Sequence, residues 1–219
     1  MARLARAIFP GLPHHVTQRG NGRAQTFFDD CDYALYRQLL REHCASAGVE
    51  VWAWVLMPNH VHLILAPGDP DGIRRAMSRV HRAYAGHIHA RLRRTGHFWQ
   101  GRFGCVAMDD EHTCAALRYV ALNPVRAGLV ASAHDWPWSS ARAQLGIVAD
   151  GITCVERTCE RIGDFAALLA TAEDAEAIAR LRRAERVGRP IGSAMFLEGL
   201  ERDYGRTLQR ARPGPRGGG

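Results

Sequence analysis

The fold is decided by two apolar runs, Val49-Glu-Val-Trp-Ala-Trp-Val-Leu-Met57 and His60-Val-His-Leu-Ile-Leu-Ala66, with Pro58-Asn59 between them. Runs of β-branched, aromatic and aliphatic residues that meet at a turn dipeptide predict two adjacent antiparallel strands. Successive side chains of a strand point to opposite faces of the sheet. His60 and His62 therefore project to one side, and Val61 enters the other.

The segments on either side of this hairpin complete a recognisable order of elements. An opening strand ends in the Gly20-Asn-Gly22 turn, and Gly48 is placed to stop a first helix. The predicted elements are a strand over 14–19, a helix over 32–47, the hairpin, a helix from Gly72, a strand over 102–108 and a helix over 110–122. This order predicts an α+β fold with a ferredoxin-like β-α-β-β-α-β antiparallel sheet and helices covering one face.

Composition excludes several classes of protein. The chain has 219 residues, 47% of them hydrophobic and 23% charged, which provides enough apolar material for a core and argues against general disorder. No apolar run is long enough to span a membrane, and the first residues do not resemble a secretory signal, so we expect a cytoplasmic protein. Six scattered cysteines without C-x-x-C pairs predict reduced thiols rather than a disulfide framework or a zinc ribbon.

The positive charge is concentrated. The 29 basic residues outnumber the 22 acidic ones and all are arginine, whose planar guanidinium binds phosphate through two parallel hydrogen bonds. Between residues 72 and 108 there are eight arginines and four histidines but no acidic residue. Helical spacing there predicts an apolar face and a basic stripe, which favours a polyanion-binding surface, although a solvated face is the alternative. The apolar face contains Ile73, Met77, Val80, Tyr84 and Ile88, and the stripe contains Arg75, Arg79, Arg82, His89 and Arg93.

A second change in charge marks the end of the first domain. Residues 151–179 hold two arginines against six acidic residues, whereas residues 180–216 hold ten arginines against four. We place a boundary at 149–153 and predict a domain over 1–150, a helical arginine-rich extension over 151–212 and a disordered tail over 213–219.

Two motifs carry candidate chemistry. Two imidazoles on one face of a strand, His60 and His62, can share a metal ion, although an ordinary pair of surface histidines has the same spacing. Tyr119 and Asn123 are four residues apart and would share a helix face that ends at Pro124. A half-buried tyrosine and a helix-end asparagine are the structural alternatives.

Taken together, the motifs resemble a known family. Leu56-Met-Pro-Asn59 before His60-Val-His62, then Gly96-His-Phe-Trp-Gln-Gly-Arg-Phe103, then Arg118-Tyr-Val-Ala-Leu-Asn-Pro-Val-Arg-Ala-Gly-Leu-Val130 and Asp135-Trp-Pro-Trp-Ser-Ser140 resemble the single-tyrosine HUH transposases. Within them the chain is most similar to the REP-associated tyrosine transposases. The resemblance covers residues 10 to about 145, and Gly188-Arg-Pro-Ile-Gly-Ser193 is similar to the carboxyl-terminal part of the same subgroup.

The resemblance implies a reaction and the residues that perform it. His60 and His62 would be metal ligands for Mg²⁺ or Mn²⁺, Asn123 would stand in the place of the third ligand, and Tyr119 would be the nucleophile. The implied activity is cleavage and strand transfer of single-stranded DNA through a 5′-phosphotyrosine. The implied substrate is the hairpin of a repetitive extragenic palindrome, which would place the protein at the bacterial nucleoid. Relatives act as monomers or as homodimers, and both states stay open here.

Candidate DNA contacts follow from the same reading. Arg75, Arg79 and Arg82 could follow the DNA backbone, whereas Trp99 and Arg102 could approach bases. The turn that contains Arg19, Asn21 and Arg23 is a second candidate surface. Trp99, Trp136 and Trp138 could equally be core or lid residues.

Two other classes of function remain open at this stage. One is a non-catalytic protein that binds the same DNA, for which metal-independent binding without cleavage would be the signature. The other is a metallophosphoesterase that uses activated water, whose products would carry no attached protein.

Overall fold

The structure is a computed structural model that describes residues 7–172, 174–205 and 207–208. The tail expected over 213–219 lies outside these residues. No described helix is both long and apolar enough to cross a membrane. The elements are β1 (His14–Arg19), α1 (Asp30–Ser46), β2 (Val49–Met57), β3 (His60–Pro67), α2 (Gly72–Leu92), β4 (Gly104–Ala107), α3 (Asp110–Ala121), α4 (Asn123–Arg126), α5 (Ala141–Gln144), α6 (Val155–Ile162), α7 (Phe165–Ala170), α8 (Ala175–Val187) and α9 (Ala194–Tyr204).

The four strands form one antiparallel sheet in the order β2-β3-β1-β4. β2 and β3 are joined by the two-residue turn at Pro58-Asn59, and Met57 pairs with His60 on either side of it. β1 lies between β3 and β4, so each of the two strand–helix–strand connections passes over one strand. This is the β-α-β-β-α-β arrangement predicted from the order of elements, and the α+β fold class is confirmed.

Helices α1 and α2 cover one face of the sheet, which we call the α1/α2 face. α1 begins at the Asp29 cap, whose carboxylate accepts a hydrogen bond from the backbone N–H of Asp32. The predicted apolar face of α2 packs against residues of β1 and β3 that alternate with the histidines. The sheet residues of this core include Val16, Val61, Leu63 and Leu65, and all are fully buried.

The opposite face is covered by α3 and α8, and we call it the α3/α8 face. α3 begins at the Asp109 cap, where the carboxylate accepts from the N–H of His112. α3 ends at Ala121, one residue before the predicted end. Pro124 has no N–H to continue the ladder, and Asn123 starts the separate short helix α4. The two helices of the β-α-β-β-α-β unit therefore share one face as expected, and the added helices use the other.

The segment predicted as a boundary lies along the edge of the sheet. Thr153 forms a parallel bridge with Val51, and the indole N–H of Trp54 donates to a carboxylate oxygen of Asp150 at 3.0 Å. The described part of the extension contains α6, α7, α8 and α9, as a mostly helical segment predicts. Of these, α8 packs on both α3 and β4. The extension is thus positioned close to the residues singled out by sequence.

Candidate metal and nucleophile site

The two histidines of β3 lie beside β1 on the α3/α8 face. Thr17 pairs with His62 and Arg19 pairs with His60, so His15, one step further along β1, is the diagonal neighbour of His62. Cross-strand neighbours share a face, and diagonal neighbours remain within reach of long side chains. The strand register therefore gathers three histidines and one arginine on one side of the sheet.

Tyr119 of α3 faces this group. Its ring centroid lies 5.3 Å from that of His62, and the two rings are nearly perpendicular at 84°. The His60 and His62 rings are also edge to face, with centroids 5.0 Å apart. The fold therefore brings together His60, His62 and Tyr119, three predicted site residues that come from two separate segments.

The tautomer of His60 is set by the turn that precedes it. Its Nδ1 lies 2.6 Å from Oδ1 of Asn59, and Nδ2 of Asn59 donates to the backbone carbonyl of Arg23 at 3.0 Å. Because a carbonyl can only accept, the amide of Asn59 presents its oxygen to His60. His60 therefore donates from Nδ1 and keeps a lone pair on Nε2.

His62 is held by a different neighbour. Its Nδ1 lies 3.0 Å from Nε2 of His15, and both side chains are buried. The other nitrogen of His62, Nε2, is also buried and has no hydrogen-bond partner among the described residues. A buried polar atom without a partner is costly, and a bound cation would satisfy it.

Burial keeps these imidazoles neutral. Desolvation lowers the pKa of His15 to about 3 and, with the nearby charge of Arg19, lowers the pKa of His60 to about 4. Desolvation is the main reason that the pKa of His62 lies well below its usual range, and the neighbouring His15 and His60 lower this pKa further. A neutral imidazole has a lone pair for a metal ion. The residues present thus fit a divalent cation bound by His60 and His62.

Asn123, the predicted third ligand, is buried and starts α4. It stands four residues after Tyr119 as expected, but the break at Leu122 places it in the next helix rather than on a continuation of the same one. The family resemblance, and not a contact in this structure, carries its assignment.

Four residues at the site are missed by the sequence analysis: two arginines, a glutamate and a histidine. Arg126 of α4 and Arg182 of α8 lie over the Tyr119 ring, with the Cζ atoms 4.2 and 5.6 Å from its centroid. Glu185 of α8 places Oε1 3.3 Å from Nδ1 of His15. Alternation along β1 could have placed His15 next to His62. The location of α8 had no comparable signal because tertiary packing decides it.

Gly104 of β4 lies where β1 and α8 come close. A Cβ atom at this position would lie 2.6 Å from Oγ1 of Thr17 and 3.5 Å from the backbone oxygen of Glu185. The first distance is a clash with a side chain of β1, whereas the second is an ordinary van der Waals contact. The position therefore favours glycine because of β1.

Several candidate DNA contacts gather at the end of the sheet where His60 lies. Asn21, Arg23 and Arg102 are exposed there, and Arg19 is partly exposed. The loop that contains Trp99 pairs with this end of β1, since Gly20 and Trp99 form an antiparallel bridge. Trp99 itself is half-buried and donates its indole N–H to the carbonyl of His81 at 3.1 Å, which matches the core alternative.

The arginines of α2 lie on the opposite side of the sheet. Arg79 and Arg82 are exposed on the outer surface of that helix. Arg75 is held by Asp69, with Nη2 2.6 Å from a carboxylate oxygen, and also donates to the carbonyl of Ala47. Its charge is already partly compensated.

Comparisons with known proteins show the family to which the chain belongs. The family model described as "Transposase IS200 like" matches residues 10–123. A REP-associated tyrosine transposase of Haemophilus influenzae is 26% identical over 116 residues, which are 48% of this chain and 66% of that protein. The solved structure of a REP-associated tyrosine transposase bound to a REP hairpin shares the fold, with a TM-score of 0.57 and 23% identity over 71% of this chain and 90% of the other. Since the family model covers more than half of its length, the chain belongs to the IS200-like transposase family.

Proposed function

We propose that the protein cleaves and rejoins single-stranded DNA in a metal-dependent reaction that passes through a 5′-phosphotyrosine at Tyr119. The observation that carries the proposal is the meeting of Tyr119 with the His60 and His62 pair, with ring centroids 5.3 Å apart between Tyr119 and His62. Family membership supports the same reaction class.

Each residue of the site has a chemical task. His60 and His62, with Asn123, would hold Mg²⁺ or Mn²⁺, which supplies polarisation of the scissile phosphate and neutralises charge on the leaving oxygen. The phenol oxygen of Tyr119 attacks phosphorus and loses its proton, the bond from phosphorus to the 3′ oxygen breaks, and that oxygen leaves as a 3′-hydroxyl. Arg126 and Arg182, next to the Tyr119 ring, place positive charge where an anionic phosphodiester must approach.

The reverse reaction explains strand transfer. The phosphotyrosine bond conserves the energy of the phosphodiester, so a 3′-hydroxyl can attack it and release Tyr119. With a single nucleophilic tyrosine, one active site performs one cleavage at a time. Joining two ends therefore requires either sequential steps in a monomer or two sites in a homodimer.

The substrate we propose is a hairpin from a repetitive extragenic palindrome. The related solved protein is bound to a REP hairpin, and the exposed arginines of this chain supply a phosphate-binding surface. The exposed end of the sheet near His60 would position the strand to be cut, with contacts from Arg19, Asn21, Arg23 and Arg102. Arg79 and Arg82, with Arg75 and Trp99 in lesser roles, would contact the remainder of the hairpin.

The arrangement of the chain is part of the proposal. Residues 1–150 would form the transposase domain, and residues 151–212 would form an extension that closes over it. Because the substrate is chromosomal, the protein would act at the nucleoid.

A covalent adduct tests the proposal. A single-stranded hairpin labelled at its 3′ end is incubated with the protein and Mn²⁺, and products are separated under denaturing conditions. We expect labelled DNA attached to the wild-type protein and none attached to Tyr119→Phe, with Tyr33→Phe as the matched control that keeps the adduct. Cleavage products without attached protein would instead indicate water as the nucleophile, and binding without cleavage would indicate a non-catalytic DNA-binding protein.

A further inference from the structure

From the contacts of α8 we infer that Glu185, acting through His15, sets the tautomer of the metal ligand His62 and so directs the lone pair of its Nε2 toward the cation. The inference rests on the proposed function, because it assumes that His60 and His62 hold a metal ion. Glu185 and His15 are positioning residues in this account and do not touch the metal or the DNA.

The chain of contacts has one direction. Oε1 of Glu185 lies 3.3 Å from Nδ1 of His15, and Nε2 of His15 lies 3.0 Å from Nδ1 of His62. A neutral imidazole has one N–H and one lone pair, whereas a carboxylate can only accept. The pair of Glu185 and His15 lies within ion-pair distance but lacks hydrogen-bond geometry, so the effect of Glu185 is electrostatic. Its negative charge favours the tautomer of His15 with the proton on the near nitrogen, Nδ1, which leaves the lone pair on Nε2 to accept. His62 must then donate from Nδ1, which leaves its buried Nε2 with a lone pair.

His60, the neighbouring ligand, has the same tautomer as His62 because of a different hydrogen-bond partner. His60 donates from Nδ1 to Asn59, whose orientation is fixed by the carbonyl of Arg23. Both chains end at an oxygen that can only accept, and both leave Nε2 for the metal. Metal-bound histidines commonly donate their second N–H to such a partner, and loss of that partner costs about 10- to 100-fold in metal affinity.

The geometry also explains why the acceptor comes from the extension. Thr17 and Arg19 share this face of the sheet with the histidines, but the side chain that faces Nδ1 of His15 is Glu185 of α8. A chain of two imidazoles alone has no preferred direction for its protons. Glu185 of α8 provides the asymmetry. The backbone oxygen of Glu185 passes close to Gly104 of β4. The extension would thus tune a ligand of the first domain without entering the metal site.

Removal of Glu185 tests the inference. Long-range ¹⁵N–¹H correlation spectra of the metal-free full-length protein report which nitrogen of each histidine carries the proton. We expect His62 to be protonated at Nδ1 in wild type and to shift toward Nε2 protonation in Glu185→Ala. His60 should remain protonated at Nδ1 in both proteins and serves as the internal control. An unchanged His62 in Glu185→Ala would overturn the inference.

Metal affinity supplies the second readout. Mn²⁺ titration followed by the EPR signal of the free ion should show a 10- to 100-fold weaker affinity in Glu185→Ala. Glu185→Gln should retain more affinity than Glu185→Ala, because its amide oxygen still presents partial negative charge to Nδ1 of His15. Glu176→Ala is the matched control: Glu176 is an exposed glutamate of the same helix and pairs with Arg180. This variant should leave the Mn²⁺ affinity unchanged. Equal losses in Glu185→Gln and Glu185→Ala would make Glu185 a direct ligand and contradict the inference. Both readouts are free of DNA, so they are independent of whether Tyr119 forms an adduct.

Discussion

The two faces of the sheet use the same strands for different purposes. On the α1/α2 face, Val16 of β1 and Val61 and Leu63 of β3 are fully buried in an apolar core. On the α3/α8 face, His15 and His62 of those strands are just as buried, but they contact each other, Tyr119 and Glu185. The α3/α8 face also has an apolar core, which includes Val55, Ile64 and Leu117, so the histidine group is a polar cluster within that core. Substitutions in the α1/α2 core should mainly lower the free energy of unfolding, whereas substitutions of the histidines should mainly abolish the DNA adduct.

The largest contrast is expected between Leu63 and His60. Leu63→Ala removes a fully buried side chain from the α1/α2 core and should lower the free energy of unfolding by about 2–5 kcal/mol. His60→Ala removes a partly exposed side chain and should change it by less than about 1 kcal/mol while abolishing the DNA adduct. Denaturant unfolding and the hairpin assay measure both. A strongly destabilised His60→Ala would show that the histidine group, and not only the apolar residues around it, stabilises the fold.

The same contrast limits what the sequence can reveal. The period-two pattern of His60, Val61 and His62 correctly assigns the faces, and the spacing of Ile73, Met77 and Val80 correctly orients α2. Such patterns follow from the local geometry of a strand or a helix. Contacts between distant segments produce no periodic pattern in the sequence. The approach of Glu185 to His15 joins residues 170 positions apart. The pair of Arg75 and Asp69 is local, six residues apart, but it depends on the conformation of the loop before α2, which helical spacing does not predict.

Low pH should destabilise the folded protein, because buried histidines on both faces are neutral in it. Burial lowers the pKa of His14 to about 4, and its neutral ring accepts from the N–H of Phe9 while it contacts the carbonyl of Leu12. Below pH 6.5 the histidines of the unfolded chain bind protons, whereas those buried in the folded protein do not. The free energy of unfolding should therefore be highest above pH 6.5 and should fall as the pH decreases toward 4. His14 alone should cost about 3 kcal/mol across this window.

Denaturant unfolding at pH 7.5, 6, 5 and 4 measures this loss, and His14→Gln should flatten the dependence by about one proton. If the free energy of unfolding were constant from pH 6.5 to pH 4, the buried histidines would not be neutral in the folded protein.

A smaller effect is expected at the contact between the extension and Tyr119. Arg182→Ala removes a guanidinium whose Cζ lies 5.6 Å from the Tyr119 ring. Its positive charge would stabilise negative charge that develops at the phenol oxygen and the phosphate, and a loss of about 1 kcal/mol in the transition state lowers the single-turnover rate of adduct formation roughly fivefold. The free energy of unfolding should change by less than about 1 kcal/mol, because the side chain is exposed. The adjacent exposed Arg183→Ala is the matched control. Equal rates for the two variants would show that Arg182 of α8 does not contribute to the reaction.

The smallest effects should rank the arginines by position. Arg102→Ala, at the end of the sheet near His60, should weaken hairpin binding and lower the slope of log affinity against log salt by about 0.9. Arg79→Ala should do so to a lesser extent, and Arg75→Ala least, because Asp69 already compensates part of its charge. Fluorescence anisotropy at several salt concentrations gives both quantities. The reverse order would place the hairpin on the α1/α2 side.

The location of the metal ion tests the central claim most directly. Crystals soaked in Mn²⁺ and measured near the manganese absorption edge give an anomalous peak at each bound ion. The account predicts one peak within coordination distance of Nε2 of His60 and Nε2 of His62, on the side of the sheet that faces Tyr119. A peak bound by His15 and Glu185 instead, or no peak beside the two histidines of β3, would contradict it.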